Sequence, residues 1–288
     1  MYLKNQIITY IGNKRSLLDF IGYAYDTAVK RLGKKDLSCF DGFSGSGIVS
    51  RFFKEKGASK VIANDLELYA KRISECYLSN KSEVDLLQIE NLTKFLESTK
   101  LSGDSSFSYP TGIIELFYAP EDDNNIRQFE RVFYTNSNAK ILDNTRARTE
   151  NIYVLAPLLA EASIKTNTSG VFKGFHKDSH TKIGKFGGTK EAALSRILSE
   201  IEINPPILSD KECQWEVYMQ DTATLSNIEV DFAYYDPPYN QHPYGSNYHI
   251  LNTLASYKES EQYSEVAGIP TDWNRSDYNY KAKAYTAL

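Results

Sequence analysis

Apolar positions along this 288-residue chain follow two different periods. After Lys14, the residues Leu17, Phe20, Ile21, Ala24, Tyr25 and Ala28 recur at spacings of three and four, which predicts an amphipathic helix. Leu37-Ser38-Cys39-Phe40 reads as a short strand, followed by a helix through Ile48, Val49, Phe52 and Phe53. Lys60-Val61-Ile62-Ala63-Asn64 is a second strand, and Glu67–Asn80 and Val84–Ser98 read as helices. From the Ser/Gly-rich stretch at Leu101–Tyr109 the alternation is hard to follow, although Arg127–Phe133 and Ile152–Ile164 have helical spacing. Pro205-Pro206 marks a return to strands, first at Trp215–Met219. Val230-Asp231-Phe232-Ala233-Tyr234-Tyr235 then reads as a buried strand, stopped by Pro237-Pro238. Asn247 is placed to cap a helix with Ile250, Leu251, Leu254 and Ala255 on one face. Beyond Ser256 the chain is polar and rich in tyrosine. Strands alternating with helices, broken once by a long stretch, predict an α/β fold with an inserted region.

The chemistry-bearing residues fall at the ends of the expected strands. Asp236-Pro237-Pro238-Tyr239 puts a carboxylate, two rigid residues and an aromatic ring at a strand's carboxyl end, the edge where ligands bind in open α/β sheets. Asp41-Gly42-Phe43-Ser44-Gly45-Ser46-Gly47 is a glycine-rich strand-to-helix turn, which lets backbone approach a ligand closely. Asp65 ends the next strand about 20 positions on, where an acid can accept hydrogen bonds from ribose hydroxyls. The turn is not G-x-G-x-x-G and no Walker pattern follows, so a nucleoside cofactor without pyrophosphate fits better than NAD or ATP. Lys14 opens its helix against the helix dipole, a placement that suits an anion ligand. Asp221-Thr222 follows the strand at Trp215–Met219, with Asp221 as either a ligand acid or a turn cap.

Charge changes the picture locally. The net charge is −4, so the chain as a whole is not a basic nucleic-acid binder. Between Lys165 and Arg196, however, seven Lys/Arg stand against two Asp/Glu. Within that stretch Val171-Phe172-Lys173-Gly174-Phe175-His176-Lys177 and Gly184-Lys185-Phe186-Gly187-Gly188-Thr189-Lys190 interleave lysines with aromatic rings. Lys173, Lys177, Lys182, Lys185 and Lys190 are expected to meet phosphates, and the rings to meet bases. The three cysteines, Cys39, Cys76 and Cys213, are scattered and suit buried positions in a reducing cytoplasm. Four histidines without ligand spacing give no case for a metal. No apolar run approaches the roughly 20 residues of a membrane span.

Taken together, these motifs and their order resemble the Dam-type (alpha-group) adenine-specific DNA methyltransferases. Tyr10-Ile11-Gly12-Asn13-Lys14 is similar to the family's N-terminal cofactor motif, the Asp41–Gly47 turn to its D-P-F-x-G-x-G, Asp65 to its ribose acid, and D-P-P-Y is its catalytic motif. Asn167 to Lys177, and Asn240-Gln241-His242-Pro243-Tyr244 with Asn247-Tyr248-His249, are similar to stretches of some bacterial members. Tyr244 and Tyr248 are open to either a core or a base-contacting role.

The resemblance implies a Rossmann-like methyltransferase sheet (residues 1–100 and 205–288) with an inserted target-recognition domain (101–204). It implies S-adenosyl-L-methionine as cofactor and double-stranded DNA as partner. Asp236, Pro237, Pro238 and Tyr239 would be catalytic. Tyr10, Lys14, Asp41, Phe43, Gly45, Gly47, Asp65, Asp221 and Thr222 would bind cofactor. The turn departs from the family in having Gly42 where proline is usual, an expected loss of rigidity only. The chain also stops where further strands are expected, so a second chain supplying them is an expectation too. The alternatives are a binding subunit inactive on its own, and adenine methylation in RNA. Methylation of the cytosine amino group is disfavoured, because that group more often has Ser where Asp236 stands.

Overall fold

A computed structural model describes residues 2–4, 6–101, 112–225, 227–238, 243–280 and 283. The chain divides into two compact units: Met1–Leu86 with Pro206–Pro243 and Asn274–Leu288, and Leu87–Pro205 with Tyr244–Trp273. The second unit therefore starts before residue 101 and takes in a later segment.

The first unit is built on four parallel strands, β1 (Ser38–Asp41), β2 (Lys60–Asp65), β3 (Gln214–Met219) and β4 (Phe232–Tyr234), in the order β3-β2-β1-β4. This is the α/β parallel sheet that the strand–helix alternation predicts. Side chains alternate across the pleat. Cys39, Val61, Ala63, Val217, Phe232 and Tyr234 face a core completed by α1 (Leu18–Leu32) and α2 (Ile48–Lys56). α3 (Leu68–Leu78) packs against β2 and β3.

Two expectations are corrected here. Only Phe232–Tyr234 of the Val230–Tyr235 run is strand, and it is not buried on both faces: Ala233 is exposed and Tyr235 is 53% exposed. Among the described residues β4 is an end strand of the sheet, paired with β1, and the core covers one side of it. The first helix begins at Leu18 after a 3₁₀ turn at Arg15–Leu17. Its inward stripe is Leu18, Ile21, Tyr25, Ala28 and Val29, which leaves Leu17 and Phe20 turned outward, Phe20 at 73% exposed.

Two buried cations brace this unit. The Arg51 guanidinium lies 4.5 Å from the ring centre of Tyr2 and 5.2 Å from that of Tyr77, and the Tyr2 hydroxyl donates to the Tyr77 carbonyl. Fully buried Lys54 donates to the carbonyls of Leu78 (2.5 Å) and Ser79 (3.1 Å) and to Asn80 Oδ1 (2.8 Å), closing the carboxyl end of α3 where a cation is favoured. Asn80 then exchanges two hydrogen bonds with the backbone of Cys213 (3.0 and 3.1 Å). That amide attaches the start of β3 to the end of α3 after an excursion of more than a hundred residues. All three cysteines are buried free thiols.

The second unit is helical: α4 (Leu86–Thr99, lying in it from Leu87), α5 (Ile113–Tyr118), α6 (Asn136–Arg148), α7 (Ile152–Ile164), α8 (Leu194–Leu198), α9 (Tyr244–Asn247) and α10 (His249–Ser256). α7, apolar on nearly all sides, is its centre and packs against α6 and α10. Arg127–Phe133 is not a helix. The Glu130 carboxylate accepts the N–H groups of Glu121 (2.9 Å) and Arg127 (2.6 Å), folding a turn that drops Val132 and Phe133 into the core. α6 escapes the apolar pattern because it buries polar groups: Asn138, Asp143, Thr145 and Arg146 all have partners in the unit. Among the described residues no helix is long and apolar enough to cross a membrane.

Replacing Lys54 with alanine leaves three buried acceptors without their donor. It is expected to lower unfolding free energy by about 3 kcal/mol, read from the urea midpoint. A loss within about 0.5 kcal/mol overturns the bracing role.

Candidate active site

Because the four strands are parallel, their carboxyl ends share one edge, and each delivers an acid there or just beyond. β1 ends at Asp41, β2 at Asp65, β3 runs into Gln220-Asp221, and β4 into Tyr235-Asp236. The chain leaves β1 through α2 to reach β2 on one side, while β4 joins β1 on the other. Strand order therefore reverses between β1 and β4, the position that opens a ligand crevice in such sheets. The glycine turn and Asp236 flank that gap. Gly42 N–H donates to the Tyr234 carbonyl at 3.0 Å, two residues before Asp236. This bond also explains the glycine where the resembling family has proline, since proline has no N–H to give. A Cβ at Gly42 would stand 3.0 Å from Cδ1 of Tyr235, so the two residues are fitted to each other.

Backbone contacts shape the rest of the turn. Gly45 (φ +50) and Gly47 (φ +71) take left-handed angles that other residues avoid. Gly45 has a second reason to lack a side chain: a Cβ would lie 2.7 Å from the ring of Tyr10. The close approach seen at Gly45 is thus made by Tyr10, whose hydroxyl lies 3.4 Å from that of buried Tyr69. Asp65 accepts Gly45 N–H (2.7 Å) on Oδ2 and Glu67 N–H (2.9 Å) on Oδ1, so it holds the turn to the end of β2. Burial raises its pKa, against these two hydrogen bonds. Each oxygen keeps a second lone pair for a hydroxyl donor.

Asn64, fully buried beside Asp65, is the hub of the edge. Its Nδ2 reaches the Gln220 carbonyl (3.1 Å), Thr222 Oγ1 (3.0 Å) and the Gly42 carbonyl (3.3 Å), and its Oδ1 accepts Gln220 N–H (3.1 Å). Thr222 Oγ1 in turn donates to the Gly42 carbonyl at 2.7 Å. Thr222 therefore sits at the site as a tie between strand ends. Asp221 caps the short turn after it, accepting Ala223 N–H at 3.0 Å. Asp41 is buried, with Oδ2 accepting the Ser50 hydroxyl at 2.6 Å and Oδ1 without a hydrogen-bond partner among the described residues. Burial pushes its pKa up to about 7; the Ser50 hydrogen bond lowers it and the charge of Asp65 raises it further.

Lys14, placed by sequence on the cofactor side, forms an ion pair with Asp236 at 2.5 Å and donates to the Gly12 carbonyl at 2.9 Å. One side chain thus touches both halves of the site. Pro237 and Pro238 follow Asp236 and are half-buried; Tyr239 and Asn240–His242 lie outside the described residues. Phe43 meets Tyr278 edge to face, with ring centres 5.1 Å apart. The sequence pattern missed Asn64, Glu67, Tyr69, Asn274 and Tyr278. The one available signal was Asn64, an amide in a strand run where asparagine is disfavoured.

This donor and acceptor set suits a cationic nucleoside such as S-adenosylmethionine. Four carboxylates and one lysine at the edge oppose a polyphosphate and favour a ligand carrying positive charge. Asp41 Oδ1 can take a buried N–H or ammonium donor, Lys14 a carboxylate, and Asp65 and Asp221 hydroxyl or amino groups.

The basic segment belongs to the second unit. Asn167 organises it: its side chain donates to the carbonyls of Val132 (2.8 Å) and Lys185 (3.2 Å) and accepts Gly187 N–H (2.9 Å). Phe172 N–H donates to the Asn247 carbonyl at 2.7 Å, and His249 Nε2 lies 2.9 Å from the Phe172 carbonyl. The two stretches singled out by resemblance therefore pack on each other. Burial holds His249 neutral, its pKa pushed down to about 3.

The rings of this segment do not await bases. Phe172 and Phe186 are buried, and Phe175 packs edge-on to Phe133 at 5.2 Å. Alternation sends the rings into the core and the lysines out. Lys173, Lys177, Lys182 and Lys190 are exposed and have no carboxylate within ion-pair distance among the described residues, while Lys185 has Glu191 at 3.9 Å. Tyr248 is fully buried, with half-buried Tyr244 stacked on it at 6.1 Å.

Residues 10–286 match the family described as D12 class N6 adenine-specific DNA methyltransferase. The chain belongs to that family. It is 29% identical to the modification methylase LlaI of Lactococcus lactis subsp. lactis, over 96% of this chain and 42% of that one. It is 30% identical to the type II methyltransferase M.NlaIII of Neisseria lactamica, over 88% of this chain and 70% of the relative. With the type II methyltransferase M.CviAII of Paramecium bursaria Chlorella virus 1 the identity is 29%, over 94% and 75% respectively. The chain thus spans less than half of the LlaI methylase and about three quarters of the other two. No solved structure matches it.

The raised pKa of Asp41 carries a prediction for this D12-class member. Its stabilising contribution is full below the ordinary carboxylate value near 4 and is lost as pH rises through about 7. Unfolding free energy is therefore expected to fall across that window by at most about 4 kcal/mol relative to Asp41→Asn, measured by urea unfolding at both ends. Parallel pH profiles for the two proteins overturn it.

Proposed function

We propose that this chain transfers a methyl group from S-adenosyl-L-methionine to the exocyclic amino nitrogen of adenine in a specific duplex DNA sequence. The observation that carries the reading is the placement of Asp236-Pro237 after β4, beside the glycine turn of β1, in a chain of the D12 class. The motif order, with the cofactor turn before the inserted region and D-P-P-Y after it, supports a Dam-type (alpha-group) arrangement. The relatives named as type II methyltransferases support a role in restriction-modification.

The adenine amino lone pair is delocalised into the ring. Hydrogen bonds from that group to the Asp236 carboxylate and the Pro237 carbonyl favour a more tetrahedral nitrogen. Pro238 keeps the carbonyl fixed, so the acceptors need no reorganisation during reaction. The cofactor supplies an electrophilic sulfonium methyl; the carbon–sulfur bond breaks as the nitrogen–carbon bond forms. The proton lost from nitrogen passes to Asp236 and on to water. Lys14 holds Asp236 in place through their ion pair, and meets the carboxylate of the methionine portion. Tyr10 packs beside the Gly45 backbone, and Phe43, Gly45 and Gly47 line the same portion. Asp41 takes its ammonium group, Asp65 the ribose, and Asp221 with Thr222 the nucleobase side. Tyr239 stacks on the target base, which is flipped out of the duplex. Lys173, Lys177, Lys182, Lys185 and Lys190 meet the phosphate backbone.

The test is incubation of the chain with tritiated cofactor and mixed-sequence duplex DNA, followed by nucleoside analysis. Label in N6-methyldeoxyadenosine is expected, and structured RNA should not compete. Absence of transfer, or preferred labelling of RNA, overturns the reading. The comparisons give no support to the expected second chain, and the assay uses this chain alone. Asp236→Ala is expected to lower kcat by about 10²–10³-fold or more with S-adenosylhomocysteine binding retained. Replacing Lys173, Lys177, Lys182 and Lys190 together by alanine is expected to weaken DNA binding alike for all sequences. The slope of log K against log salt should also shrink by about 3–4. An unchanged slope removes these lysines from the DNA contact.

A further inference from the structure

The segment Asn274–Tyr280 comes from the far end of the chain, yet it lies along the carboxyl edge of the sheet in the first unit. It is pinned at two points. At one end, Asn274 Nδ2 donates to the Leu66 carbonyl (2.9 Å) and to Glu67 Oε2 (3.3 Å), just beyond β2. At the other, the Tyr278 ring meets Phe43 in the glycine turn of β1 at 5.1 Å and 88°. Between them, Ser276 accepts Tyr278 N–H at 3.3 Å and starts a single 3₁₀ turn, Asp277–Asn279. Four residue steps reach at most about 14 Å, ample to cross from β2 to the adjacent β1, about 5 Å away.

The composition of this strap is unlike core. Asn274, Arg275, Asp277 and Tyr280 are exposed, and only Tyr278 and Asn279 are buried, each at about one-twentieth of full exposure (6% and 5%). A polar strap that inserts one aromatic ring is placed by that ring. The Tyr278 hydroxyl also feels its surroundings: burial raises its pKa first, and the charges of Asp221 and Tyr235 add to the rise. The ring lies against Phe43, at the end of β1. Glu67, 3% exposed, sits at the other anchor, with its backbone N–H on Asp65 Oδ1. The strap thus touches Glu67 and, through the Glu67 backbone, adjoins Asp65.

We propose that Asn274–Tyr280 is the outer wall of the nucleoside pocket. Tyr278 and Phe43 form an aromatic corner for the purine of the cofactor, and Asn274 with Glu67 closes the ribose side. This rests on the reading of the site as one for S-adenosylmethionine and adds residues that its motifs do not include. A purine presents a flat apolar face and an amino donor; the aromatic corner takes the face, and Asp221, whose charge acts on Tyr278, takes the amino group. The same strap then governs release of the spent cofactor, because the nucleoside leaves when the Asn274 and Tyr278 contacts part.

Calorimetric titration of the full chain with S-adenosylhomocysteine, and separately with adenosine, tests the wall. Tyr278→Ala is expected to raise Kd about tenfold for both ligands, the scale of a lost aromatic contact, while Tyr278→Phe stays within about twofold. In turnover, Tyr278→Ala should raise the KM for cofactor with little change in kcat, the signature of lost uniform binding. Binding to DNA should be unchanged. Asn274→Ala, which removes the hydrogen bonds to Leu66 and Glu67 at the other anchor, is the second variant should Tyr278→Ala fail to fold. It should speed dissociation of S-adenosylhomocysteine several-fold. Parental binding with folded Tyr278→Ala or Asn274→Ala binding equally well overturns the wall and leaves the proposed function standing. If the parental chain takes up neither ligand, the cofactor reading itself fails.

Discussion

One buried amide holds the candidate site in register. The side chain of Asn64 bonds the backbone or side chain of Gly42, Gln220 and Thr222, which leave β1 and β3 on either side of its own strand. A parallel sheet aligns its strand ends only through ladder bonds, and those stop where the strands stop. Beyond that point the loops would be free to diverge. Asn64 and Asp65 carry the alignment further, because their side chains bond the loops that follow β1 and β3 and the start of α3. An unsatisfied amide at full burial is costly, so the arrangement is set collectively.

The glycine turn shows how the same edge is tuned from both sides. Gly42 gives an N–H to β4 and accepts Tyr235 against its bare Cα, while Gly45 accepts Tyr10. Both glycines answer to neighbouring aromatic rings as well as to backbone angle. Across the gap between β1 and β4, Lys14 compensates Asp236. Without that cation, Asp236 would add one more negative charge to an edge already crowded with acids. Asp41, at the end of β1 on the same edge, has its pKa pushed up to about 7, chiefly by burial.

The second unit uses alternation for a different end. Its basic segment interleaves rings with lysines, and the rings fasten it to the helical core while four lysines stay exposed. Asn167 sets the path of that loop as Asn64 sets the strand ends, with an amide satisfied on both sides by backbone. Buried Asn64, Asn80 and Asn167 thus each fix irregular backbone in this chain.

The sequence by itself determined the four strands, the glycine turn, the acids at the strand ends and the D-P-P-Y stretch. Each depends on local chemistry: apolar runs of strand length, glycines where backbone angles need them, and polar residues where a strand meets solvent. Periodicity also found α7 and the buried face of α10, whose apolar spacing is intact. It misplaced the stripe of α1, since one preceding turn of 3₁₀ helix changes which apolar residues face inward. α6 went unseen, because its buried face mixes polar with apolar residues, and Asn138, Asp143 and Arg146 find partners distant in sequence. Tertiary structure alone decided that Lys14 meets Asp236, that Asn64 joins three strand ends, and that Asn274–Tyr280 lies along the carboxyl edge. Several of these contacts join positions more than two hundred residues apart. No spacing rule encodes them, because they exist only once the sheet has fixed its strand order.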